Sequence, residues 1–400
     1  MAYLGQRQNL NTSAFGEFLV AQPNGETQLQ FPYNLNPELV SVTTASSGTV
    51  ISSPPFAVVS TGLSPTGSAF FQSNSSSHYR TGEGVSVVFT SIFTSGTAGS
   101  VQYVGLGDSQ NGFFFGYNGD VFGILYRQAT YGVTVTQVNV SDTWIPQVSW
   151  NQDPFNGTGV SGVVLDPTKG NVYKIQMQWL GFGDINFFIE NPNNGRLTFV
   201  HKILYPNLNT NTSVLNSSLP LRAAASNSTN TKNMVVKVPS MAMFIEGPIY
   251  QNDIIYSISN SGNGDVSNIV SLLAIRNVTT FNNIVNAKVV VLSAISMSVV
   301  GGNSTRAIQF YLILNPTNAF TYVSVNANQS CVQYDNTSTA TIVGGRTLFV
   351  FYIEGQGEQN IDLTSYDIYL NPGDVLSVAR IGINAGARTA NTNLTWVERF

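Results

Sequence analysis

The chain has 400 residues and carries 17 basic against 21 acidic side chains, a formal charge of -4, with charged residues at only 10% and hydrophobic ones at 42%. With charge this sparse and no Lys/Arg cluster, phosphate-tracking nucleic-acid binding and polybasic membrane docking are excluded, and the length predicts two or more domains, each with its own core. His78, His201 and Cys331 are too few and too far apart for a zinc site, and a single cysteine forbids an internal disulfide, so no metal or other cofactor is expected.

The first ten residues lack the apolar core of a secretory signal, so the expectation is a protein without a signal peptide, made and folded in cytoplasm. Residues 1 to 40 have few strand signals and several turn formers (Pro23-Asn24-Gly25, Pro32, Pro37), and they read as an extended N-terminal arm. Its scattered apolar residues, Tyr3, Leu4, Phe15, Phe18, Leu19, Phe31 and Tyr33, suit docking on a neighbouring molecule. Short runs rich in Val, Ile, Phe, Tyr and Thr then recur between Gly, Pro, Asn and Ser clusters, the pattern of an antiparallel sandwich. Strands are predicted over 85–93, 113–117, 133–140, 172–180, 186–190 and 197–203. In Lys174-Ile-Gln-Met-Gln-Trp179 strict alternation predicts one buried and one wet face. Residues 207–233, dense in Asn, Ser and Thr, read as a long exposed loop, followed by a last strand over 234–244. Glu246-Gly247-Pro248 punctuates the chain, giving a first β domain over 41–247 and a second over 248–400. In the second, strands are predicted over 289–299, 307–314, 348–353 and 375–383, and a short helix over 265–275 from the spacing of Val266, Ile269, Val270 and Leu273. The apolar run Lys288 to Val300 is broken by three serines and is too short for the roughly 18 residues of a membrane span. The fold class is therefore all-β: two antiparallel β-sandwich domains, jelly-roll or concanavalin-like, behind an N-terminal arm.

Chemistry-bearing residues concentrate between 104 and 159. Asn111-Gly112 and Asn118-Gly119 are preferred pairs for tight hairpins and bracket an aromatic strand. Asp108, Asn111, Asn118 and Asp120 could converge as oxygen ligands for calcium or as acceptors for sugar hydroxyls, with Tyr117 offering a stacking face, or they could cap turns. Trp144 and Trp150 stand in a loop-like, Pro-rich stretch and are candidate anchors for a ligand. Gly105 and Gly107 imitate a dinucleotide fingerprint, but no helix follows. A glycosidase would need a carboxylate pair, such as Asp184 with Glu190 or Glu83 with Asp108, and no nucleophile elbow, metalloprotease helix or P-loop is present. No catalytic residue is assigned, and the chain is read as a non-enzyme.

The run from Gly105 to Arg127, then Trp144-Ile-Pro-Gln, Trp150-Asn-Gln-Asp, Gly157-Thr-Gly, the stretch Leu165-Asp-Pro-Thr-Lys-Gly through Gly183, and Phe188-Ile-Glu-Asn-Pro-Asn-Asn-Gly-Arg196 together resemble a module of virion structural proteins of large double-stranded DNA viruses and some tailed phages. The opening around Phe15-Gly-Glu and Leu29-Gln-Phe-Pro-Tyr-Asn34 and the closing Asn393-Leu-Thr-Trp-Val-Glu-Arg-Phe400 are similar to theirs as well, strongly to residue 247 and loosely beyond. The resemblance implies a capsid, vertex, spike, fibre or tail component located in the virion, with other virion proteins and copies of itself as partners, and transfers no catalytic residue. Host-surface glycans are the alternative partner, through loops around Asp108 to Asp120 or Trp144 to Gly159. A polysaccharide-degrading spike is the least favoured reading.

Overall fold

The computed structural model describes residues 23–77, 79–132, 137–247, 254–264, 266–301, 307–366, 368–383 and 388–399. His78, most of the arm, the expected strand start at 133–136 and the junction at 248–253 lie outside them. The chain divides into two compact units, Met1–Tyr250 and Gln251–Phe400, and every strand pairing among the described residues is antiparallel.

Unit 1 is built from two sheets facing one core. The first runs Arg196–Ile203, Ile185–Asn191, Asn171–Met177, Gly84–Phe93, Val235–Val238, Phe56–Ser60 and Thr49–Ser53, with Ser240–Glu246 also on Gly84–Phe93 and Pro23–Gln30 on Ser240–Glu246. The second runs Val138–Pro146, Val121–Tyr131, Gly112–Asn118, Ser100–Gly107, Pro220–Asn227, Ser68–Ser76 and Val40–Ala45. Alternate residues turn inward from each: Val87, Phe89 and Tyr173 from the first meet Val104, Phe113 and Phe115 from the second, all at most 1% exposed. Tyr173 stacks on Phe89 at 5.4 Å and packs at a tilt on Phe115 at 4.9 Å between ring centroids, so the two layers are joined by aromatic packing.

Unit 2 repeats the principle. Its five-stranded sheet contains Ile255–Asn263, Thr389–Arg399, Val289–Val300, Gly357–Asp362 and the short Tyr369–Leu370. Its six-stranded sheet runs Val323–Ser324, Val332–Asp335, Val270–Asn277, Val375–Ile383, Ala307–Leu314 and Arg346–Glu354. Trp396, Leu292 and Ile295 from one sheet share a core with Ile275, Phe310 and Val378 from the other. The chain is thus all-β, two antiparallel β-sandwiches.

Four expectations are corrected. Residues 23–40 belong to the first sandwich: Pro23–Gln30 pairs with Ser240–Glu246, and Leu29, Phe31 and Val40 enter the core at 2–3% exposure. Residues 1–22 of the expected arm lie outside the described residues. The stretch 207–233 is not one loop, because Pro220–Asn227 lies buried between Ser100–Gly107 and Ser68–Ser76. Its small polar and alanine side chains carry little hydrophobic or strand signal, and pairing on both edges with burial of nearly every residue overrides that local preference. The helix expected over 265–275 is the strand Val270–Asn277, buried on both faces at Leu272, Leu273 and Ala274, a run that periodicity alone does not separate from a helix. The predicted strand 172–180 stops at Met177, and Leu180, at φ 40°, sits in the turn that follows.

Candidate binding site

The strand Gly112–Asn118 decides which residues share a face. Phe113, Phe115 and Tyr117 point into the core, so Gly112, Phe114 and Gly116 lie on the other side of the sheet. There Phe114 packs with Tyr103, Leu125 and Ala224 in a separate apolar cluster, flanked by partly buried Phe70, Val101 and Trp144. Register explains the grouping: Trp144 pairs with Leu125 and Leu125 with Phe114, while Tyr103 pairs with Ala224 and Ala224 with Phe70. The Phe114 ring lies across glycine backbone, since a Cβ on Gly107 or Gly112 would stand 2.6 or 2.5 Å from it.

Two guanidinium groups join this outer face. Arg127 makes a bidentate pair with Asp142 opposite it, both contacts at 2.8 Å, and donates from Nη1 to the Tyr103 hydroxyl and the Asp108 carbonyl, each at 3.3 Å. Burial works to lower its pKa, but its interactions with Asp142 and Tyr103 together outweigh burial and hold the charge above the usual arginine range. Arg222 is 6% exposed, donates to Gln72 Oε1 at 2.9 Å and lies 3.7 Å over the Phe70 ring. Burial lowers its pKa, with the Tyr103 side chain acting the other way. Among the described residues Arg222 makes no ion pair, and its Nε has no acceptor.

The seven sequence-predicted residues do not converge. Asp108, 2% exposed, accepts the amides of Gln110 and Asn111 at 2.7 and 2.8 Å, a turn made by an aspartate on its own backbone. Burial raises its pKa against those donors and the two arginines. Asn111 is fully buried and ties two segments together, its Oδ1 accepting the amides of Leu215 and Ala129 at 3.0 and 3.3 Å. Asn118 and Asp120 are exposed hairpin residues at the far end of the same strand. At roughly 3.3 Å per residue the seven steps from Asn111 to Asn118 put the two turns some ~23 Å apart, so no single ion or sugar spans them. Tyr117 is 8% exposed and packs edge-on to Phe93 and Phe122 in the core, not on a binding face. Trp150 is also core, 5% exposed and edge-on to Phe115 at 5.8 Å, and Trp144 is on a strand rather than a loop. Of the seven, Asp108 and Trp144 border the outer face. Sequence reasoning missed Arg127, Arg222, Tyr103 and Phe70, because Arg222 fell in the stretch read as a loop.

The carboxylates considered for hydrolysis are occupied in part: Asp184 pairs with Lys202 at 2.9 Å and accepts the amide of Tyr205. Among the described residues no cluster of three or more His, Cys, Asp or Glu side chains could hold a metal ion, and no helix is long and apolar enough to cross a membrane.

No family model and no curated protein matches this chain. Among solved structures, an endo-beta-1,4-glucuronan lyase from the fungus Trichoderma reesei is 13% identical, covering 55% of this chain and 95% of its own, with a TM-score of 0.34. The carbohydrate recognition domain of Emp47p is 9% identical over 56% of this chain and 96% of its own, at a TM-score of 0.33. A glycosyl hydrolase family 16 protein from Mycobacterium smegmatis is 10% identical over 55% of this chain and 100% of its own, at 0.35.

Proposed function

We propose that this chain is a non-enzymatic structural protein of a virus particle, a capsid, vertex, spike, fibre or tail component that assembles through its β units with copies of itself and with other virion proteins. The observation that carries the reading is where the virion-like segments fall. Gly105 to Arg127 spans the end of one strand and two further neighbours in the seven-stranded sheet, and 165–183 with 188–196 supplies adjacent strands of the opposing sheet. The resemblance therefore covers both layers of one sandwich, and its polar residues are used in turns and packing, as suits a framework module. Mass spectrometry of purified particles from the source, with antibody labelling in electron micrographs, tests this. The chain should co-purify at constant stoichiometry, and its absence from particles ends the reading.

A second reading, host attachment through a glycan, is favoured by the outer face of the seven-stranded sheet. Partly exposed Trp144 and Phe70 flank two guanidinium groups there, a combination suited to a sugar ring bearing a carboxylate or sulfate. On a glycan array, binding to acidic glycans that falls at least tenfold in Trp144→Ala supports it. A blank array removes it.

A further inference from the structure

Four strands of the five-stranded sheet of unit 2, Ile255–Asn263, Thr389–Arg399, Val289–Val300 and Gly357–Asp362, lie side by side in that order. Alternation assigns their faces. Ile295, Met297 and Val299, with Thr392 and Leu394 on the neighbouring strand, turn into the core at 1–3% exposure, so Ser296, Ser298, Asn391 and Asn393 stand on the outward face. Register then sets Ser298 between Asn391 and Glu358, and Ser296 between Asn393 and Asn360. In both rows the serine is shorter than its neighbours, so the two serines floor a trough walled by the asparagine pair on one side and by Glu358 and Asn360 on the other. The cavity there has a volume of about 310 Å³. That is the lower end of the roughly 300–1,000 Å³ range of small-molecule sites.

The polar groups of the trough are oriented but not used up. Asn393 Oδ1 accepts the hydroxyls of Ser257 at 2.8 Å and Thr395 at 3.3 Å, which leaves its amide hydrogens to donate. Asn391 does the reverse: its Nδ2 donates to the Ser298 hydroxyl oxygen at 3.1 Å, which leaves Oδ1 to accept. Among the described residues the side chains of Ser296, Glu358 and Asn360 have no partner. No residue lining the cavity is basic or aromatic. A bound anion would therefore face Glu358 without a counter-charge, and an apolar ligand would strip water from these groups without replacing its hydrogen bonds. A calcium ion takes roughly six to eight oxygen ligands, commonly several of them carboxylates, and only one carboxylate lines this cavity. What fits is a neutral ligand with several hydroxyls, each able to donate and to accept, a vicinal pair of which can donate together to the Glu358 carboxylate.

From this trough we infer that unit 2 carries a binding site for an uncharged saccharide, seated over Ser296 and Ser298 between the Asn391–Asn393 pair and the Glu358–Asn360 edge. The inference rests neither on a place in a virus particle nor on the acidic-glycan face around Trp144, which belongs to unit 1 and takes a ligand of opposite character.

The test titrates the full chain with neutral oligosaccharides of glucose, mannose, galactose and N-acetylglucosamine, with binding read by calorimetry and by ligand-observed NMR. With no aromatic ring to stack on, at least one of them should bind saturably with a dissociation constant on the order of 1 mM. Glu358→Gln, at an exposed position, should raise that constant roughly tenfold, the effect of losing a hydrogen bond to a charged group. Ser296→Leu, which fills the floor of the trough, should abolish binding with an unchanged circular dichroism spectrum. Trp144→Ala should leave binding of the neutral sugar as it was, so that failure of the acidic-glycan reading and failure of this one are told apart. A panel in which no neutral oligosaccharide saturates, binding that survives both Glu358→Gln and Ser296→Leu, or binding that disappears in Trp144→Ala overturns the inference. If Ser296→Leu fails to fold, Asn360→Ala on the exposed edge strand takes its place and should weaken binding roughly threefold.

Discussion

Individual polar side chains of unit 1 are placed to satisfy backbone, and this is why residue types chosen for their chemistry turned out to be structural. Asp108 and Asn111 stand where a ligand site was expected from their spacing, but the Oδ1 of each accepts two backbone amides of the protein itself. The sequence shows which residues are able to bind; it does not show which amides are left over for them to satisfy, since those come from Ala129 and Leu215, distant in the chain. His201 makes the same point in a testable form. It is 6% exposed, its Nδ1 accepts the amide of Asn151, and burial pushes its pKa down to about 4. The folded state thus holds the neutral ring while the unfolded chain takes up a proton near 6.5, so stability from this group is complete above that pH and is lost as pH falls towards 4. Urea midpoints measured from pH 7 to pH 4.5 should fall more steeply for the wild type than for His201→Gln. Parallel curves would show that His201 does not contribute to the acid limb.

Among strands, legibility followed hydrophobic contrast. Runs such as Val85 to Phe93 and Ala307 to Leu314 announce themselves because one face is apolar. Pro220–Asn227 does not, and its centre reads Arg-Ala-Ala-Ala-Ser, yet it is an interior strand of the seven-stranded sheet and delivers Arg222 to the outer face. Glycine positions divide in a comparable way. Gly82 (φ 94°) has open space where a Cβ would go, while at Gly107 (φ 152°) a Cβ would lie 2.4 Å from the Asn111 carbonyl oxygen and 2.6 Å from the Phe114 ring. Gly82→Ala should therefore cost only the backbone strain of a left-handed alanine, about 1–2 kcal/mol. Gly107→Ala adds overpacking and should cost at least ~3 kcal/mol. Chemical denaturation of the two variants checks the ranking, and equal losses would mean that the crowding at Gly107 relaxes.

Across the whole molecule, each unit closes its own two-sheet core, and no residue of one core cluster appears in the other. Cores of this kind make each unit a cooperative folding body. The tryptophans offer a clean probe, since Trp144, Trp150 and Trp179 belong to unit 1 and Trp396 to unit 2. Trp396 is fully buried and stacks on Tyr256 at 6.1 Å, so its emission should shift to the red only when unit 2 unfolds. In the Trp396→Phe variant fluorescence then reports unit 1 alone, and its urea midpoint need not coincide with the transition seen in a fragment spanning 251–400. That fragment should fold unaided, with a single sigmoidal transition and the blue-shifted emission of a buried indole. An unfolded fragment, or one transition shared by every probe in the intact chain, would mean that the two cores depend on one another.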